Sequence, residues 1–149
     1  MKTTFLIIFF SILSFSINAQ EIKNDNTTTT DFTGRFFNEE HKIYLVINLK
    51  EKNVLIPNQE ILGELDGYFG SNQTSHIWAI TSSQIKKGNT ATIEVINNYG
   101  SEDFKATLSI KENGTLEFQH INGSVFKFPV KNKWQKLPNK IVFVQKSII

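Results

Sequence analysis

Phe104-Lys105-Ala106-Thr107-Leu108-Ser109-Ile110-Lys111 alternates apolar and polar side chains without a break. Successive side chains of an extended strand point to opposite faces, so Phe104, Ala106, Leu108 and Ile110 share one face. Lys105, Thr107, Ser109 and Lys111 share the other, as in a strand buried on one side and wetted on the other. The pattern continues outward in both directions. Upstream, Ala91, Ile93 and Val95 alternate with Thr92, Glu94 and Ile96, and Ile43, Leu45, Ile47 and Leu49 make one face of residues 42–49. Downstream, Leu116, Phe118 and His120 form one set, Phe126, Phe128 and Val130 another, and Ile141 and Phe143 a third. β-branched and aromatic residues dominate these runs, as strands favour.

The breaks between runs have turn chemistry. Asn113-Gly114 and Asn122-Gly123 predict tight hairpin turns, because both residue types accept positive φ. Lys87-Gly88-Asn89 and Glu51-Lys52-Asn53 are further turn candidates. Gly63, Gly67 and Gly70 recur within a strand-like stretch, where glycine permits sharp bending or close backbone approach. No capped helical stripe follows residue 20; a single turn of helix is expected at most, at 82–86 or in the 129–138 connection. About nine runs at a spacing of roughly ten residues suggest a barrel or a sandwich. Short loops join 91–97, 104–111, 115–121 and 125–130, which favours sequential pairing. The expected fold is all-β: a single antiparallel meander closing into a barrel of about eight strands. A β-sandwich is the alternative, without the Cys, Trp and Cys hallmark of immunoglobulin domains.

The N-terminus follows a different pattern. Lys2 precedes a run from Phe5 to Phe15 that only Ser11 and Ser14 interrupt, and Ser16-Ile17-Asn18-Ala19 then turns small and polar. That order is the pattern of a secretory signal peptide, with the cut expected after Ala19. The run is shorter than the roughly 20 apolar residues a spanning helix needs. With no cysteine in the chain, lipid attachment through a thiol and disulfide bonding are both excluded. The expected organisation is a signal peptide at 1–19, a flexible polar leader at 20–30 and a barrel domain at 31–149, periplasmic or secreted and monomeric. Without Lys2, 15 Lys and Arg face 14 Asp and Glu, and the lysines are spread along the chain. Neither nucleic acid nor, after signal cleavage, a membrane surface is an expected partner, since both call for a concentrated basic face.

Sites of chemistry are sparse. His41, His76 and His120 lie far apart, without the close ligand pairs of zinc sites, and no metal or cofactor is implied. His41 and His76 are read as solvated residues preceding strands, and His120 as a hydrogen-bonded histidine at a barrel end. No nucleophile elbow occurs, and Glu64 and Asp66 read as alternate acids facing water, so catalysis is not expected. Aromatics with polar handles near turns or strand ends remain as binding candidates: Tyr68, Trp78, Tyr99 and Trp134, together with His120. The polar loop at 97–103, built around Gly100, is the best single segment for recognition.

Asp31-Phe32-Thr33-Gly34-Arg35-Phe36-Phe37 resembles the opening strand of lipocalin-like and avidin-like barrels, in which a glycine precedes a large aromatic residue. Phe36 stands where those families usually carry tryptophan. Gly63-Glu64-Leu65-Asp66-Gly67-Tyr68-Phe69-Gly70, Asn98-Tyr99-Gly100-Ser101-Glu102-Asp103 and Trp134-Gln135-Lys136-Leu137-Pro138 also look like small exported barrel proteins of Bacteroidetes bacteria with no assigned role. The resemblance implies a ligand-binding or protein-binding barrel. Two functions follow as expectations. One is a small-molecule carrier, slightly favoured, with an interior cavity lined by some of Leu45, Ile93, Leu108, Phe118 and His120. The other is a protein-binding module, such as an inhibitor or immunity protein, acting through loop aromatics around Tyr99 or Trp134.

Overall fold

The computed structural model describes residues 31–146. The signal peptide and leader, and the last three residues of the expected barrel domain, lie outside them. In chain order the strands are β1 (Thr33–Asn38), β2 (Ile43–Asn48), β3 (Val54–Leu55), β4 (Glu64–Leu65), β5 (Gly67–Ser71) and β6 (Thr74–Lys86). They continue with β7 (Thr90–Asn97), β8 (Asp103–Ile110), β9 (Leu116–Gly123), β10 (Lys127–Val130), β11 (Lys133–Lys136) and β12 (Lys140–Gln145). Eight of them form a closed antiparallel barrel, ordered β1-β12-β9-β8-β7-β6-β5-β2, and β1 pairs with β2 to complete the ring. Apart from two inserted hairpins, β3–β4 and β10–β11, neighbours in sequence are neighbours in the barrel. This is the meander, and not a sandwich.

The alternation decides which side is dry. Leu45, Ile93, Val95, Leu108, Phe118, Ile141 and Phe143 are all buried in one core, together with Phe36 at the start of the barrel. The closing seam is the thinnest part of the ladder. β1 meets β12 through Phe36 opposite Gln145 and Phe37 opposite Val144, whereas β6 and β7 pair from Trp78–Asn97 to Lys86–Thr90. Side chains reinforce that seam: Asn38 Nδ2 donates to the Val142 carbonyl at 2.9 Å, and Lys146 Nζ pairs with Glu39 at 2.9 Å.

Three local expectations fail for identifiable reasons. Residues 125–130 were expected to form the next barrel strand after β9. Instead the chain leaves the ladder at Gly123, and β10 pairs only with β11, so Phe126 and Phe128 are buried by insertion and not by ladder position. Asn122-Gly123 makes no tight hairpin turn. Gly123, at φ 101°, ends β9 beside a register slip, and a Cβ there would lie 2.6 Å from the Asp103 carbonyl. Neither proposed helical turn forms, because 82–86 continues β6 and 129–138 is mostly the β10–β11 hairpin; a 3-10 turn occurs at Glu60–Leu62. Gly70 does make the close approach expected of it, since a Cβ would run into the Tyr44 ring.

Phe126 fills the middle of the barrel. Its ring centroid lies 5.1 Å from those of Phe69 and Phe104, 5.2 Å from Phe118, 5.6 Å from Phe128 and 5.8 Å from Trp78. Tilted and edge-on arrangements such as these suit the ring quadrupoles and add about 0.5–1.5 kcal/mol per pair beyond area burial. Phe126→Ala should cost about 3–5 kcal/mol, because the surrounding strands cannot collapse onto the void. Its neighbour Val125 is exposed, and Val125→Ala should stay within about 0.5 kcal/mol. Urea unfolding of the two variants checks this, and similar small losses for both would show that the ring is dispensable.

Candidate functional site

β6 begins at Thr74, so alternation carries Thr74, His76, Trp78 and Ile80 along its inner face. Trp78 is fully buried, and its Nε1–H donates to the Lys127 carbonyl at 2.9 Å. That bond fastens the β10–β11 hairpin across one end of the barrel. The hairpin reverses at Lys131 and Asn132, both at positive φ (49° and 64°), the geometry of a type I′ turn. It thereby brings Phe128 and Trp134 over His76.

The loop between β7 and β8 supplies the opposite wall. Buried Asn97 organises it: its Oδ1 accepts from the Ser101 and Glu102 backbone N–H groups at 3.0 and 3.4 Å. Its Nδ2 donates to Ser101 Oγ and Glu102 Oε2, both at 3.2 Å. Gly100, at φ 71°, lets the chain turn so that Tyr99 projects outward, 73% exposed. Glu102 then pairs with Lys127 at 2.7 Å, and the Lys127 ammonium lies 5.1 Å from the centre of the Trp134 ring. Loop and hairpin are tied together by this ion pair and cation–π contact.

His76 sits at the centre, 4% exposed, with its ring 5.1 Å from Trp134, 5.7 Å from Phe128, 5.8 Å from Tyr99 and 5.9 Å from Trp78. Neither ring nitrogen has a hydrogen-bond partner. Burial pushes its pKa below the usual imidazole value; Glu102 opposes that shift and Lys127 adds to it. Above His76 opens a cleft of about 290 Å³ whose walls include Ser75, Tyr99, Pro129, Asn132, Lys133 and Trp134. A larger groove of about 660 Å³, between the turns at Gly88–Asn89 and Lys111–Asn113, has no aromatic lining.

Of the five binding candidates, the fold brings Tyr99 and Trp134 together at this cleft and seals Trp78 beneath it. Tyr68 is elsewhere, packed with Ile56, Ile77 and Ala79 in a second cluster against the partly buried Val54 and Leu65 of the β3–β4 hairpin. Burial, and then neighbouring Tyr44, hold its phenol above the ordinary tyrosine range. His120 has the satisfied role expected of it: its Nε2 lies 2.9 Å from the Ser124 carbonyl and its ring 5.2 Å from Phe104.

His76 is the correction. It was expected to be solvated ahead of a strand, but β6 starts earlier and the hairpin covers it. Its shared parity with Trp78 was the available signal. Asp66 is likewise not an acid facing water: it is buried, accepts from the Ser83 hydroxyl and pairs with Lys52 at 3.1 Å. Among the described residues, no three His, Asp or Glu side chains converge on a point that could hold a metal ion. No family model matches this chain, and neither the curated proteins nor the solved structures include a match to it.

The buried imidazole makes stability depend on pH. An unfolded histidine titrates near 6.5, and His76 in the fold titrates below that. Between the two values the unfolded chain holds a proton that the folded one lacks. Stability therefore falls as pH drops through 6.5 and levels off below the folded pKa. Urea midpoints measured at several pH values for the native chain and His76→Phe test this. The native chain should lose stability relative to His76→Phe as the solution is acidified, and a constant difference would mean that the imidazole is not held neutral.

Proposed function

We propose that this chain is an exported, non-catalytic recognition module that binds its partner at the barrel mouth. The observation that carries the reading is the cleft itself. Tyr99 and Trp134, respectively 73% and 54% exposed, flank a buried histidine whose ring nitrogens have no partner. Exposed Trp and Tyr side chains over a structured floor are the residue types that dominate binding energy at interfaces. The reading as exported rests on the signal-like order of residues 1–19.

A ligand in the barrel interior, which the lipocalin-like resemblance implies, would have to displace Phe126 and open its contacts with five other rings. Leu45, Ile93, Leu108 and Phe118, named above as possible cavity walls, are packed in that core and line none of the clefts described here. The second class, recognition through loop aromatics, therefore has the better support. The reading as non-catalytic rests on the sequence, which carries no nucleophile elbow.

Native mass spectrometry of the mature chain, purified gently from its own exported fraction, tests the reading. A bound molecule or co-purifying partner should be lost or strongly depleted in Tyr99→Ala and Trp134→Ala, since truncating an interface anchor costs about 2 kcal/mol or more, roughly thirtyfold. Undiminished occupancy in both variants would overturn binding at the mouth.

A further inference from the structure

The mouth cleft has a charge character that narrows its ligand. Residues 124–140 contain Lys127, Lys131, Lys133, Lys136 and Lys140 and no acidic residue. Lys127 is paired with Glu102 and Lys140 with Glu117. Lys131, Lys133 and Lys136 have no acidic partner within 4.0 Å among the described residues. All three belong to the same hairpin as Trp134, and Lys133 lines the cleft.

We propose, resting on the mouth as the binding surface, that the cleft takes an acidic oligosaccharide, a sugar chain bearing carboxylate or sulfate groups. Three features of the site match that chemistry. The faces of Trp134 and Tyr99 offer flat apolar platforms for the C–H face of a sugar ring. A neutral imidazole has one donor and one acceptor nitrogen, and a hydroxyl, which gives and receives, satisfies either. His76 holds both nitrogens unsatisfied at the floor, and Ser75 and Asn132 add polar groups around it. The three unpaired ammonium groups then meet the acidic substituents.

The His76 nitrogens lie beneath the rings at the cleft floor, so direct sugar contact requires one of the covering side chains to shift. Trp134 lies on β11, all four residues of which are exposed and whose outer edge pairs with no strand among the described residues.

Isothermal titration of the mature chain with four probes tests this: trigalacturonate, a heparin hexasaccharide, neutral cellohexaose and a short poly-glutamate peptide. At least one acidic sugar should bind, with cellohexaose and poly-glutamate weaker by about tenfold or more. Trp134→Ala should weaken the acidic sugar by about tenfold or more. The combined Lys131→Gln, Lys133→Gln and Lys136→Gln variant should do the same and flatten the salt dependence. All four substituted residues are exposed, and unchanged thermal unfolding will show that the variants fold. Binding by trigalacturonate alone or by heparin alone supports the proposal and identifies the acidic group.

Equal or tighter binding of cellohexaose or poly-glutamate, lost in Trp134→Ala, overturns the acidic sugar and leaves the mouth as the binding surface. Binding of none of the probes overturns the acidic sugar likewise. Acidic sugar binding unchanged in both variants overturns the proposal and the mouth together.

Discussion

An eight-stranded ring leaves an interior just wide enough for side chains, and something must fill it. In this chain the central contribution comes from outside the ladder, from Phe126, which enters after β9 has ended and touches five other rings. The residues that follow act in turn on the mouth. The Lys127 carbonyl receives the Trp78 indole and its ammonium meets Glu102, while Phe128 turns back toward His76. Filling the core and building the mouth are one arrangement of three consecutive residues. A change that loosened Phe126 would therefore reach Trp134 without touching it.

Leaving His76 unsatisfied is costly on the scale of the fold. A buried polar atom without a partner costs about 1–3 kcal/mol, against a net stability of about 5–15 kcal/mol for an ordinary domain. Nearby polar groups fare unequally: Asn97 uses both its amide oxygen and its amide nitrogen and His120 reaches the Ser124 carbonyl, whereas Asn98 Oδ1 is also buried without a partner. The imidazole is enclosed by rings on several sides, and no side chain hydrogen-bonds to its nitrogens.

Period-two alternation made β2, β7, β8 and β12 legible, because each has one dry and one wet face and a single-residue slip would reverse them. The same signal misplaced 125–130, since alternation reports which side chains are buried and not which strand lies alongside. Turn chemistry was legible at Asn113-Gly114 and misleading at Asn122-Gly123, where Gly123 at positive φ lets the end of β9 come close to the Asp103–Phe104 backbone. The Lys131-Asn132 turn uses the backbone shape that Asn-Gly prefers but lacks the glycine that would have marked it. Tyr99 and Trp134 could be picked out as aromatics with polar handles near turns. That they meet over one histidine depends on the Trp78–Lys127 bond, a contact between residues 49 apart that no local pattern encodes.

The thin seam between β1 and β12 has a consequence for the order of events in folding. Its partners come from the two ends of the described chain, with Phe36 opposite Gln145. Contacts so distant in sequence have the largest loop-closure entropy to overcome and form late. A chain emerging N-terminus first can zip the β5-to-β9 meander while its tail is still being delivered, but β1 must wait with one edge bare until Lys146 is free. Until then that strand is an open template for pairing with another molecule. The hazardous interval in the life of this barrel is the wait for its last strand, and the faster the tail is released the shorter that interval becomes.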